Sequence, residues 1–358
     1  MDEIEMKLML SVLACCWGLL FMQFAVSANL DQCLQNQLLV SADSVTIGEL
    51  RARCNTLRIK RLSDANTAEN ALPNEEGMEG KEGMVNDEGI VTVESALARR
   101  LTFESENNNP FSLLPHKPNY IIISNNMASP NEAPFQEAFP DRNTHFQPWE
   151  TKFQISLKVP LARGLFNGQG DLYAAYTNRS FWQQFNKAGS SPFRESNHEP
   201  EMWLSFRNDT TLLGFHNSVI RTGIVHQSNG QAGTLSRSWN RVYADFIFEK
   251  GNWFFSAKPW WRIPENSDDD NNPDIDDYLG NFEFSGLYKM GNQNLDFMIR
   301  DNLSTSDNHG AFQLNWSFPV SKNVRGYVQW FNGYGESLID YDAYSNSIGL
   351  GIQLTDWL

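Results

Sequence analysis

The sequence predicts an all-β chain folded as a twelve-stranded antiparallel transmembrane β-barrel. Three observations predict it. An apolar export segment opens the chain, and after it no apolar run is long enough to span a bilayer as a helix. The remainder carries segments about ten residues long in which apolar and polar residues alternate. Aromatic residues make up 13% of the chain, with Trp and Tyr gathered near segment ends, although the hydrophobic fraction is only 41%. Alternation alone also admits a soluble sandwich, in which the apolar faces of two sheets pack together. In a barrel the same faces meet lipid and the polar faces line the interior.

The chain has 358 residues and opens with a targeting segment. Between Lys7 and Ala28 it is almost wholly apolar and ends in small residues, with Val26 and Ala28 suited to a signal-peptidase site and Ala25 and Ser27 the neighbouring choice. Residues 1–28 therefore read as a signal peptide, although Asp2, Glu3 and Glu5 depart from the usual positive start. Cys15 and Cys16 would leave with it. Cys33 and Cys54 remain, and an exported chain with two cysteines favours a disulfide between them. Residues 29–108 read as a periplasmic N-terminal segment. Within it, EEGMEGKEGMVNDEG (75–89) is acidic, glycine-rich and nearly free of large apolar side chains. Such a stretch buries too little surface to offset its ordering entropy, so it reads as a flexible linker. The net charge of −15 argues against a nucleic-acid partner and is compatible with bound divalent cations.

The barrel domain is expected over 109–358. KFQISLKVPLA (152–162) sets Phe153, Ile155, Leu157 and Val159 on one face against Lys152, Gln154, Ser156 and Lys158 on the other. AFQLNWSFP (311–319) and SIGLGIQLTDWL (347–358) alternate in the same way. Segments are expected near 119–125, 151–162, 170–184, 198–208, 211–228, 236–249, 252–263, 277–290, 294–303, 310–319, 324–335 and 346–357. Twelve is an even count, as single-chain bacterial barrels require.

One stretch carries chemistry: GIVHQSNGQAGTLSRSWNR (223–241). His226 and Ser228 are two apart, so on a strand they share a face, which is how a nucleophile and its base begin. Gly230 and Gly233 mark a hairpin loop. A hairpin symmetric about Gly233 sets Asn240 opposite His226 and Ser238 opposite Ser228. Parity then decides the side. His226 and Ser228 share their face with Ile220, Thr222 and Ile224, and Asn240 shares its face with Val242, Ala244, Phe246 and Phe248. The Ser-His-Asn set thus points to the apolar, lipid-facing side. An H-x-S pair alone is ordinarily two interface polar residues. Unpaired polar groups facing lipid are expensive, however, and a site that works on lipid needs them there. Amides near Gly230 are placed to donate to an oxyanion.

HQSNG (226–230) followed by SRSWNR (236–241) resembles the active-site hairpin of the outer-membrane phospholipase A family, the calcium-dependent integral lipases of Gram-negative bacteria. YTNRSFWQ (176–183), SSPFRESNHEPE (190–201), GNWFFSAKPWW (251–261), NPDIDDYLG (272–280) and GYGESLIDY (333–341) resemble further family motifs in the same order. The resemblance spans about 108–358. It implies a twelve-stranded barrel hydrolysing sn-1 and sn-2 acyl esters of phospholipids and lysophospholipids, active as a calcium-bound homodimer in the outer membrane. It implies Ser228 as nucleophile, His226 as base and Asn240 as orienter. Its calcium ligands map to the carbonyls of Ser190 and Gln231, the Ser236 hydroxyl and an acidic residue of SDDDNNPDI, taken as Asp270 with Asp269 as the fallback. Gly233 stands where the family carries an acidic residue, and Asn178 where it carries a glutamine that pairs across the dimer. The alternative is a passive outer-membrane channel with the same strands and no reaction. His116, His145, His198, His216 and His309 lack metal-type spacing and read as loop, strand-end or interface residues.

Overall fold

The computed structural model describes residues 84–85, 91–92, 97, 113–141, 145–187, 189–190, 192–321 and 324–355. The expected signal peptide and the Cys33–Cys54 pair lie outside these residues. The chain divides into two compact units, Met1–Glu94 and Ser95–Leu358. In the first, β1 (Met84–Val85) pairs antiparallel with β2 (Val91–Thr92), a two-residue ribbon at the end of the acidic stretch. The second carries the barrel. Within it, Leu97 is buried among Val219, Ile247, Phe254 and Leu287.

The barrel is built from β4 (Asn119–Asn126), β5 (Trp149–Gly164), β6 (Gly170–Trp182), β7 (Phe193–Leu212), β8 (Phe215–Ser228) and β9 (Ser238–Lys250). It continues through β10 (Trp253–Ile263), β11 (Phe282–Met290), β12 (Gln293–Asp301), β13 (Gly310–Pro319), β14 (Arg325–Tyr334) and β15 (Tyr344–Thr355). Each strand pairs antiparallel with the next, and β15 returns to β4. A two-residue β3 (Leu114–Pro115) prolongs the first strand along β5. Closure at twelve strands leaves no edge, the condition for β-structure in lipid.

Burial decides between the two architectures that alternation allows. Ser156, Asn315, Ser317 and Gln353 are buried, whereas Ile155 is 52% exposed and Leu350 62% exposed. At these positions the polar side chains are inside and the apolar ones outside, the inverse of a soluble sandwich; aromatic and aliphatic clusters such as Trp203, Trp239 and Trp260 share the interior. The exposed band includes Ile121, Leu157, Ile224, Trp261, Trp316, Ile348 and Leu354.

All twelve expected strands are present, with two differences in detail. The stretch from 277 was expected as strand, yet Ile275–Leu279 forms a helix, α2, and β11 starts only at Phe282. Asp276 and Asp277 in its first turn suit the positive end of a helix dipole, and Gly280, at φ +66°, ends it in a conformation that favours glycine. β7 starts at Phe193, earlier than the expected 198, and Pro200 does not break it. The ladder to β8 lapses at Glu199 and Pro200 and resumes at Glu201, so the missing proline N–H interrupts one side of the pairing only. A helix α1 (Ala133–Ala138) lies in the loop between β4 and β5.

One end of the barrel turns tightly, at Leu213–Gly214, Gly251–Asn252 and Gly291–Asn292. The other carries the long loops. There the segment 335–343 folds inward onto buried charge. The Arg194 guanidinium donates to both Glu150 oxygens at 2.6 and 3.1 Å and to Asp340 Oδ2 at 2.6 Å. Lys152 pairs with Glu336 at 2.5 Å, and the Ser337 hydroxyl donates to Asp340 at 2.7 Å. The Leu338 and Ile339 amides donate to Asn197 Oδ1 and Glu195 Oε1. Buried charges are tolerated when their partners satisfy them, and removing one partner strands the others. Arg194→Ala should therefore lower stability by about 3–5 kcal/mol, read as a lowered urea midpoint of the folded barrel. An unchanged midpoint would show that the network does not hold this end together.

Candidate active site

The site is set by the register of β8 against β9. His226 pairs with Asn240, Gln227 with Trp239 and Ser228 with Ser238. Asn240 Oδ1 lies 2.9 Å from His226 Nδ1. An amide oxygen can only accept, so Nδ1 carries the proton and Nε2 keeps its lone pair. Val225 and Gln227, the residues between the outward ones, are buried inside, while Ile224 and Val242 are exposed on the face of His226, Ser228 and Asn240. The expected parity is observed. His226, Ser228 and Asn240 are each half-buried at the long-loop end.

The inward side of the same hairpin holds this register. Gln227 Oε1 accepts from Trp239 Nε1 at 2.9 Å and from Arg241 Nη2 at 3.1 Å. The Arg241 guanidinium lies 3.9 Å over the Trp239 ring, and Trp239 meets Trp260 edge-on. On the neighbouring strand, a side chain at Gly223 would come within 2.4 Å of the Met202 carbonyl oxygen, so glycine lets β7 and Trp203 pack close beneath the site.

The loop between the strands is organised by Asn229, which sequence reasoning passed over. It is buried, its Oδ1 accepts from the Gln231 and Arg237 amides at 3.2 and 3.0 Å, and its Nδ2 donates to the Leu235 carbonyl at 2.8 Å. The loop then leaves Gly230, Gln231, Ala232, Gly233 and Thr234 exposed, with Gly230 at φ +65°. His198, expected as a loop, strand-end or interface residue, stands beside the site. Its register partner is Ser228, from the β7 side, so the serine is flanked by imidazole-bearing positions along and across the sheet. His198 Nδ1 meets the Tyr176 hydroxyl at 2.6 Å.

The expected calcium ligands are less uniformly placed. Gln231 is exposed and Ser236 half-buried on one loop, and Ser190 is exposed at φ +61° between β6 and β7. The Ser236 hydroxyl accepts from Asn271 Nδ2 at 3.3 Å. Asp270 differs from the rest: Arg262 Nη2 holds both of its oxygens, at 2.7 and 2.8 Å. Among the described residues no three His, Cys, Asp or Glu side chains cluster as a metal site, so a cation there would rest on carbonyl and hydroxyl oxygens. Behind this loop, Asn272 is fully buried and its Oδ1 accepts from the Ser238 amide at 2.9 Å. Burial pushes the carboxyl of Asp276 up to about 6, against the pull of Arg262 and Arg241. Asn178 is engaged within its own chain, donating weakly to the Asn197 carbonyl and His198 and accepting from Ser180 at 3.0 Å. Glu265 enters from the end of β10, with Oε1 3.0 Å from Asn240 Nδ2.

Residues 97–354 match the family model described as phospholipase A1. The phospholipase A1 of Escherichia coli K12 is 39% identical over 251 residues, covering 70% of this chain and 84% of that protein. Among solved structures, outer membrane phospholipase A from Escherichia coli superposes with a TM-score of 0.65 at 36% identity, over 71% of this chain and 96% of the other. The outer membrane phospholipase of Salmonella typhi, solved as a dimer with bound calcium, gives 0.65 at 37% identity, over 70% and 96%.

Because Gln227 accepts from two donors, Gln227→Ala would strand the Trp239 N–H and an Arg241 N–H in the interior. Each stranded donor should cost about 1–3 kcal/mol, measurable as a lowered unfolding midpoint. A variant as stable as the parent would mean that the inward network does not hold the hairpin.

Proposed function

The chain belongs to the phospholipase A1 family and forms an outer-membrane β-barrel, and from that premise we propose that it hydrolyses the sn-1 and sn-2 acyl esters of phospholipids and lysophospholipids through Ser228, His226 and Asn240. The observation that carries this is the 2.9 Å contact of His226 Nδ1 with Asn240 Oδ1, on the outward face that also bears Ser228. With Nδ1 protonated, Nε2 is the base that takes the Ser228 proton as Oγ attacks the ester carbonyl. The Gly230 amide is placed to donate to the resulting oxyanion. The imidazolium then protonates the departing glyceryl oxygen, and the acyl-serine is released by water activated by the same His226. A polar set facing outward from a barrel meets its substrate in the membrane plane, where the acyl chains already are.

Calcium suits the oxygen donors of this loop system, and a bound cation supplies polarisation at the developing oxyanion. Ser190 and Gln231 through their carbonyls and Ser236 through its hydroxyl would hold it. Asp270 contributes only if Arg262 releases it; the exposed Asp269 is the alternative. The Salmonella relative's calcium-bound dimer supports the same dependence here, with substrate chains held between protomers and Asn178 on the outward face. The passive channel leaves the outward His226–Asn240 pair without a use.

Ser228→Ala should abolish calcium-dependent fatty-acid release from phospholipid in mixed micelles, and chelation by EDTA should do the same to the parent protein. Release unchanged in Ser228→Ala would sink the assignment. Crosslinking should give a dimer with calcium and far less without it, and a calcium-independent monomer of full activity would refute the assembly.

A further inference from the structure

Asn240 leaves a question open. An asparagine side chain has an acceptor at one end and a donor at the other, and either end can face a histidine. If the amide turned over, Nδ2 would donate to His226 Nδ1, the proton would move to Nε2, and Nε2 would lose the lone pair that the proposed proton transfer from Ser228 requires. Something has to decide the orientation, and an aspartate, with two equivalent acceptors, would not need it.

In this chain the decision comes from the next strand. Ile263 of β10 pairs with Asn240, and the chain runs on through Pro264, so that Glu265 reaches back over Asn240. Glu265 Oε1 lies 3.0 Å from Asn240 Nδ2, while Asn240 Oδ1 lies 2.9 Å from His226 Nδ1. A carboxylate oxygen accepts and cannot donate, so it selects the orientation in which the NH2 group faces away from the imidazole. We propose that Glu265 is a positioning residue for the reaction: it holds the Asn240 amide so that Oδ1 accepts from His226 Nδ1, and thereby sets the tautomer in which Nε2 serves as base. The bond is charge-assisted and crosses from the β10 end to the β8–β9 hairpin, so it ties three strands to one proton position. This deepens the Ser228–His226–Asn240 assignment and rests on it.

The test is a double-mutant cycle of Glu265→Ala and Asn240→Ala, assayed at saturating calcium on mixed micelles with kcat and KM separated. Loss of a hydrogen bond to a charged group predicts a fall in kcat of about tenfold for Glu265→Ala, with KM unchanged and the same unfolding midpoint as the parent. In the Asn240→Ala background the second substitution should have no further effect on kcat. Glu265→Gln keeps an acceptor oxygen but loses the charge and can also present its NH2 group, so its kcat should fall between those of the parent and Glu265→Ala.

Five outcomes would overturn the proposal. One is Glu265→Ala with kcat within twofold of the parent while Asn240→Ala is impaired. A second is a loss that persists at the same factor without Asn240, which would place the action of Glu265 elsewhere. A third is a Glu265→Gln variant no better than alanine. The fourth is a defect that only displaces the calcium midpoint and vanishes at saturation, which would make Glu265 part of the cation loop. An unimpaired Asn240→Ala would remove the catalytic assignment itself, and the role of Glu265 with it.

Discussion

Everything functional in this molecule depends on the alternation of side chains across one antiparallel register. Asn240 stands opposite His226 because β8 and β9 are paired as they are, and a slip of one residue would turn the outward set into the lumen. The same alternation separates two environments that differ in every respect. One face of the hairpin meets the lipid with Ile224, Val242 and the His226–Asn240 contact. The other packs Gln227, Trp239 and Arg241 into the interior. The inward residues hold the register, and the register presents the outward ones.

The interior is therefore more than the polar side of a barrel. Arg194 pairs with Glu150 and Asp340, and Lys152 with Glu336, among buried residues, and these pairs tie the 335–343 segment to the strands. In a soluble protein an apolar core does this work. Here many apolar side chains face lipid, and the buried polar groups at this end of the interior are hydrogen-bonded to one another. These bonds tie the long loops to the strands at the end where the His226–Asn240 pair stands.

The site also shows how far a motif extends beyond its letters. His226, Ser228 and Asn240 are readable in a nineteen-residue stretch because strand periodicity and hairpin symmetry convert spacing into proximity. Asn229, His198 and Glu265 carry no such periodic mark. Asn229 bonds within its loop, His198 arrives by the pairing of β7 with β8, and Glu265 by the path of the chain after β10. No spacing rule announces contacts of that kind. The Asp270 carboxylate is held by Arg262, a partner that its acidic run does not announce either.

The sequence by itself determined the alternation, the number of strands and the face on which His226, Ser228 and Asn240 stand, because each of these follows from a period of two and from where the turns fall. Its 277–281 stretch reads as strand, where the chain forms the end of a helix and a bend, since local propensity allows either and neighbouring pairings decide. Only the tertiary structure showed that apolar faces turn outward in place of packing on a second sheet, since burial belongs to the closed ring and not to any one strand. Only it brought Arg194 to Asp340, across 146 positions of chain, and Glu265 to Asn240, across 25. Side-chain contacts between strands depend on closure and on loop paths, and those are properties of the whole barrel.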